Sequence, residues 1–266
     1  MTPSIDTAFT GSVAQFYERY MVPLIFEPYA IDLARRVAHA APRRVLELAA
    51  GTGVVTRQLA AMLDASIELV ATDLNPAMLD EAARIGTARP VEWRQADAMQ
   101  MPFDETSFDA VVCQFGVMFF PDKPGVFAQP RRVLRPGGLF AFNVWGPIAA
   151  NEFANPVTDA LAEVFPQDPP RFLVRTPHGY HDATRIAQDL ATAGFTSTPM
   201  IESMRSPAVR RWRASWRLPT ATVPRCAAKS KRVTRTRWAA LPAPPKRSWR
   251  AASATDRSKG ASKRSS

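Results

Sequence analysis

The chain has 266 residues, 46% hydrophobic and 22% charged, a composition that suits one large or two small folded domains and excludes collagen-like, wholly disordered and disulfide-stapled chains. Two cysteines, Cys113 and Cys226, offer neither a disulfide framework nor zinc-ligand spacing, so a reducing, cytoplasmic location and no metal are expected. The formal charge of +10 is unevenly placed: residues 201–266 hold eighteen Lys and Arg against two acids, whereas residues 1–200 hold 16 against 22.

The first twenty residues lack a basic segment followed by an apolar run, and no stretch reaches the roughly 18 apolar residues of a membrane span. A helical segment over 13–20 precedes one over 27–40, where Tyr29, Leu33, Val37 and Ala40 recur at helical spacing. Residues 44–48 (RVLEL) read as a buried strand running into the turn Ala49-Ala50-Gly51-Thr52-Gly53 and a helix over 54–63. A second strand over 67–72 ends at Asp73, and Asn75-Pro76 opens a helix through Ile85, with Asn at the cap and Pro at the first position. Strands over 91–95, 108–115 and 138–145 follow, the last entered through Arg135-Pro136-Gly137-Gly138. A helix is needed over 126–134, and Pro130 inside it, at a cost of about 3 kcal/mol, predicts a kink or a late start. Helices over 149–165 and 182–193 and a sixth strand over 195–204 complete the series. Strands alternating with helices predict an α/β fold with a three-layer, doubly wound, mostly parallel sheet.

The turn after the first strand carries the sharpest chemical signal. Small residues there let backbone approach a ligand closely, and the next helix offers its N-terminal N–H groups. A dinucleotide site would want a third glycine where Thr56 stands; instead an acid is followed by small residues two, four and six places on, Glu47, Ala49, Gly51 and Gly53. This resembles the first motif of the class I S-adenosylmethionine-dependent methyltransferases, a Rossmann-like family, with Ala49 in place of the first glycine. Further matches follow in order: Asp73 at the end of strand two, Asp97-Ala98, the stretch Phe103–Val112 with Gln114-Phe115-Gly116, and Arg131–Gly138 before strand five. The finer resemblance, including residues 17–20 and Pro28-Tyr29-Ala30, is to small-molecule enzymes of the ubiquinone/menaquinone-biosynthesis type.

The resemblance implies S-adenosylmethionine as cofactor and methyl transfer by in-line displacement to a small-molecule acceptor. It implies that the turn from Glu47 through Ala49, Gly51 and Gly53 cradles the methionine part, that Asp73 accepts the ribose hydroxyls, that Leu74 and Met78 flank the adenine, and that Asp97 and Ala98 meet its amino group, with Gln114 in the loop beneath. The acceptor pocket is expected from Phe16 and Tyr20, from Phe115 and Met118, and from the insertion after strand five. In that insertion His178 and His181 are candidate general bases, as is Tyr20, beside the alternative that both histidines are ordinary loop residues.

Four parts are thus expected: N-terminal helices over 1–40, the cofactor-binding core over 41–146, an insertion with the sixth strand over 147–205, and a basic tail over 206–266. The tail, with Trp212, Trp216, Trp238 and Trp249 among Arg, Ala, Ser and Pro, has three readings: a frameshifted translation, a disordered solvated tail, or a nucleic-acid-binding arm. A frameshift predicts loss of the family's last, antiparallel strand and an unpaired edge on strand five. The nucleic-acid arm is the alternative function, as a binding protein or a nucleic-acid methyltransferase.

Overall fold

A computed structural model of the chain describes residues 11–196, 200–205 and 210–217. In chain order these form α1 (Gly11–Phe16), a wide-turned π-helix (Tyr17–Phe26), α2 (Glu27–His39), β1 (Arg44–Glu47), α3 (Val54–Met62), β2 (Glu68–Asp73), α4 (Pro76–Ile85) and β3 (Glu92–Gln95). Then come β4 (Phe108–Gln114), α5 (Lys123–Val133), β5 (Leu134–Trp145), α6 (Ala154–Val164), α7 (Phe172–Arg175), α8 (Ala183–Thr192), β6 (Met200–Arg205) and β7 (Arg210–Arg217).

The strands lie in the order β3-β2-β1-β4-β5-β7-β6, and the first five are parallel. Because the chain winds outward from β1 in both directions, β1 and β4 flank the point where the order reverses, and the crevice beyond their carboxyl ends is where open α/β sheets bind ligands. Val45, Leu46, Ala110, Val111 and Val112 are wholly buried, as expected of parallel strands covered on both faces. Leu33 and Val37 of α2 are buried with them. On the far side Phe127, Phe140, Phe142 and Phe195 pack ring on ring at centroid distances of 5.0–5.7 Å.

Local chemistry accounts for most boundaries. The Asn75 side chain accepts from the Ala77 amide at 2.9 Å with Pro76 at the first helical position, as the sequence predicts. Asp182 caps α8 by accepting from Thr184 and Arg185. The helix expected over 149–165 is interrupted because Asn151 accepts from the amides of Phe153 and Ala154, which restarts it as α6. The late start expected from Pro130 does not occur: α5 begins at Lys123, capped by Asp122, and runs through the proline, which lies in its last turn where few hydrogen bonds are forfeited.

The tail requires the largest correction. Residues 210–217 form β7, antiparallel to both β5 and β6, pairing Phe140 with Trp216 and Val144 with Trp212. The last antiparallel strand is therefore present, and β5 is paired on both edges. The physical reason is legible in RRWRASWR, where Trp212, Ala214 and Trp216 alternate with Arg and Ser at the two-residue period of a strand. The remaining statements about the tail fall on 206–209 and 218–266, outside the described residues, as do 197–199 of the strand expected over 195–204; Phe195 and Thr196, at its expected start, are not in a strand, and β6 spans Met200–Arg205.

Candidate active site

The turn after β1 is held open by its neighbours. Leu48 N–H donates to the Val112 carbonyl at 2.8 Å and Ala50 N–H to the Thr72 carbonyl at 2.9 Å, so the turn bridges the ends of β4 and β2. Within it Ala49, Gly51 and Gly53 have φ of 51°, 56° and 81°. This alternation of left-handed residues turns the backbone sharply, and it explains why small residues recur at every second position. The Ala49 methyl faces the Gly116 backbone so closely that a Cβ on Gly116 would lie 2.7 Å from it, and the two loops fit only while position 116 has no side chain.

The acids at the strand ends have different surroundings. Glu47 is 1% exposed, and its carboxyl receives the Thr56 hydroxyl at 2.6 Å; burial pushes its pKa up to about 8. Asp73 accepts from Gly51 N–H at 2.8 Å on one oxygen and from Asn75 N–H at 2.8 Å on the other, with burial, outweighing these bonds, raising its pKa. A carboxylate offers about four lone pairs, so these bonds tie the turn to β2 and, with the Leu74 backbone also acting on the carboxylate, leave capacity for a further donor. A Cβ built on Gly51 would meet nothing within 4 Å. Asp73 and the open side of Gly51 therefore fit a ligand that brings hydroxyl donors to the carboxylate and lies along the turn, as a nucleoside with an extended amino-acid arm does.

The other expected cofactor residues are spread along the same crest. Met78 is buried and Leu74 is 60% exposed. Asp97 accepts from Met99 N–H at 2.8 Å, while Ala98 is half-buried against the core. Gln114 lies between the Phe26 carbonyl and Asn143, each at 3.4 Å.

Several contributors carry no local sequence signal. Glu18, in the π-helix, accepts from the Thr52 hydroxyl at 2.6 Å and pairs with Arg57 at 2.6 Å, while Arg57 also donates to the Thr52 carbonyl. The N-terminal segment is thus clasped onto the turn. Burial, with the nearby charges of Asp73 and Glu18, raises the pKa of the Tyr17 phenol, which marks Tyr17 as the tyrosine on the Asp73 side. Tyr20, expected with Phe16 to line the acceptor pocket, is half exposed, and Phe16 beside it is 66% exposed.

Beyond the turn, Phe115 (φ 49°) stacks on Trp145 with centroids 3.8 Å apart, and Phe26 and Tyr29 enclose the pair. These aromatic residues line the carboxyl ends of β4 and β5. His178 stands beside Trp145 at 6.1 Å, with Nδ1 2.7 Å from the Gly146 carbonyl, and His181 Nδ1 is 2.7 Å from the His178 carbonyl. Cys113 is a buried free thiol whose pKa burial pushes up to about 12, which removes it as a nucleophile. Among the described residues no group of three His, Cys, Asp or Glu is placed to hold a metal, and no helix is long and apolar enough to cross a membrane.

Residues 46–142 match the family model described as a methyltransferase domain. The chain is 37% identical over 122 residues to a demethylmenaquinone methyltransferase of Deinococcus radiodurans, covering 45% of this chain and 50% of that one. It is 35% identical over 126 residues to the ubiquinone/menaquinone biosynthesis C-methyltransferase UbiE of Idiomarina loihiensis, covering 46% and 47%. The chain thus spans about half the length of these curated relatives. Among solved structures, phosphoethanolamine N-methyltransferase 2 of Haemonchus contortus, bound to phosphomonomethylethanolamine and S-adenosylhomocysteine, superposes with a TM-score of 0.60 at 16% identity over 80% of this chain and 58% of that one. A protein of Methanococcus maripaludis described as an S-adenosyl-L-methionine-dependent methyltransferase gives 0.58 at 18% over 84% and 100%. At these identities the structural likeness is one of fold.

Proposed function

We propose that this protein, a class I S-adenosylmethionine-dependent methyltransferase by its domain, transfers a methyl group to a small aromatic acceptor of the quinone type. The observation that carries the cofactor assignment is the left-handed turn Ala49–Gly53 facing Asp73, whose carboxylate keeps acceptor capacity beyond its backbone bonds. Asp73 would receive the ribose hydroxyls, Gly51 and Gly53 would carry the methionine arm, and Leu74, Met78, Asp97 and Ala98 would border the adenine. When bound, S-adenosylmethionine supplies a methyl group already activated on a sulfonium, so the chain's task is to hold a nucleophile in line with it and exclude water. Phe26, Tyr29, Phe115 and Trp145 pack together as a buried apolar base at the carboxyl ends of β4 and β5, over which an aromatic acceptor would lie, and the clasp of Glu18 on Thr52 and Arg57 closes the N-terminal segment over the turn. A cytoplasmic location belongs to the same reading.

The direct test is labelled-methyl transfer from S-adenosylmethionine into a metabolite extract, where a labelled quinol-type product is expected. Thermal stabilisation by S-adenosylhomocysteine and by NAD, measured in parallel, checks the cofactor, and stabilisation by NAD alone would overturn the assignment. Asp73→Ala is expected to weaken S-adenosylhomocysteine binding by about 1–3 kcal/mol, because it unpairs both the ligand hydroxyls and the Gly51 amide. Calorimetric titration measures this, and an unchanged affinity would remove Asp73 from the site.

A further inference from the structure

His178 is 5% exposed and yet ends in an unused nitrogen. Its Nδ1 lies 2.7 Å from the Gly146 carbonyl. A carbonyl can only accept, so Nδ1 carries the hydrogen and the lone pair of the neutral ring is at Nε2. No hydrogen bond joins Nε2 to any described residue, so its lone pair is free to accept from a donor brought to it. Burial outweighs the Gly146 bond and lowers the ring's pKa, which keeps the resting imidazole neutral.

The surrounding loop fixes this orientation. His178 N–H donates to the Leu173 carbonyl of α7 at 3.0 Å, and His181 Nδ1 holds the His178 carbonyl at 2.7 Å. A Cβ at Gly179 would strike the Arg175 carbonyl, so the tight turn between the two histidines requires glycine. The ring's anchor, Gly146, directly follows Trp145, which stacks on Phe115, the residue that follows β4. His178 is therefore tied to the carboxyl end of β5, the same end of the parallel sheet at which the Gly51 turn and Asp73 stand. His181, bonded to the backbone of this loop, is a positioning residue.

We propose that His178 is the general base of the transfer, taking the proton of an acceptor ring hydroxyl on Nε2. The proposal rests on the methyltransferase reading and its quinol-type acceptor, and adds the residue that takes the proton. Removing the hydroxyl proton delivers the O–H electron pair into the ring. A ring carbon then bonds the methyl carbon as the sulfur–methyl bond breaks, and that bond's electron pair stays on sulfur. The hydrogen displaced from the ring carbon leaves to water, its bonding pair restores the aromatic ring, and the imidazolium returns its proton to the oxygen. One proton is released overall and His178 is regenerated. Positioned proton transfer of this kind contributes about 10²–10⁴-fold in rate.

The test uses the full chain and the variant His178→Asn, whose amide can still donate to the Gly146 carbonyl but has no basic nitrogen. The variant should bind S-adenosylhomocysteine within about twofold of the parent and melt at the same temperature, while labelled-methyl transfer falls by about 10²–10⁴-fold. Transfer at the parent rate would overturn the proposal; absence of transfer by the parent itself would instead overturn the methyltransferase reading. Nitrogen NMR supplies a readout apart from turnover. In the parent saturated with S-adenosylhomocysteine, the Nε2 resonance should be that of an unprotonated ring nitrogen and should shift on addition of phenol but not of anisole, which has no hydroxyl to donate. A protonated Nε2, or a resonance indifferent to phenol, would overturn the assignment even if the variant were slow for structural reasons.

Discussion

Replacing Gly53 with alanine is expected to destabilise the fold by about 2–4 kcal/mol and to weaken S-adenosylhomocysteine binding at least about tenfold. Gly53 caps α3 at φ 81°, where an L-residue pays about 1–2 kcal/mol. The added methyl would also lie 2.8 Å from Cη2 of Trp93 on β3 and 3.2 Å from Cβ of Ala82 on α4. Ala82 is buried and cannot retreat, so Trp93 must move and the turn with it. Gly51 makes the contrast: its φ is 56°, but a Cβ there meets nothing within 4 Å, and neighbouring Ala49 already accepts φ 51°. Gly51→Ala should therefore cost little more than about 1 kcal/mol of stability, while blocking the ligand from the turn. Urea unfolding of both variants, with calorimetric titration, separates the effects; equal stability losses would mean that the space beside Gly51 is not as open as the geometry gives.

The parts of this molecule that are legible in the sequence are those whose cause is local. Strands β1, β2, β4 and β5 carry apolar runs, β3 is recognised by its place in the alternation, and the observed bounds of all five lie close to those expected, apart from β5, which begins at Leu134. Asn75-Pro76 announces α4 through the chemistry of its own cap. Glu47 and Asp73 stand at strand ends because the ligand crevice opens there. What the sequence hides depends on partners far along the chain. Glu18 reaches Thr52 across 34 positions and Arg57 across 39, and no spacing rule joins them. Tyr17 is drawn inward, stacked on Phe26, while Tyr20 stays exposed, because a π-helix breaks the 3.6-residue spacing from which a face would be assigned. The strand β7 is obscured by its composition: a segment so rich in arginine reads as a solvated basic run, although alternation of Arg with Trp is equally the pattern of a strand paired on both edges.

Glu47 carries the second large expected effect, a loss of stability as pH rises through neutrality. Its carboxyl is shut into the core against Thr56, and burial raises its pKa from the usual carboxylate range to about 8. The hydrogen bond from Thr56 and the charge of Arg57 act in the opposite direction and do not offset the desolvation. In the unfolded chain Glu47 ionises near the ordinary value of 4.5, so between about 4.5 and 8 the folded state binds the extra proton. Stability contributed by this group is therefore complete below the unfolded pKa, declines as pH rises across that window, and levels off above the folded pKa. One fully displaced proton changes stability by about 1.4 kcal/mol per pH unit, so raising the pH from about 6.5 to about 8 should cost the free protein up to about 2 kcal/mol. His178 has a lowered pKa and acts in the other direction, but its contribution is lost only as pH falls below the ordinary histidine value, so it leaves the interval above that value to Glu47. Glu47→Gln keeps a neutral partner for the Thr56 hydroxyl and has nothing to ionise, so its unfolding free energy should be nearly level over the same interval. Urea unfolding at small pH steps across that interval, on parent and variant, decides the matter: parallel slopes would place the titrating group elsewhere, and a parent that gains stability with rising pH would mean that Glu47 is ionised in the fold and that Arg57 outweighs the cost of its burial.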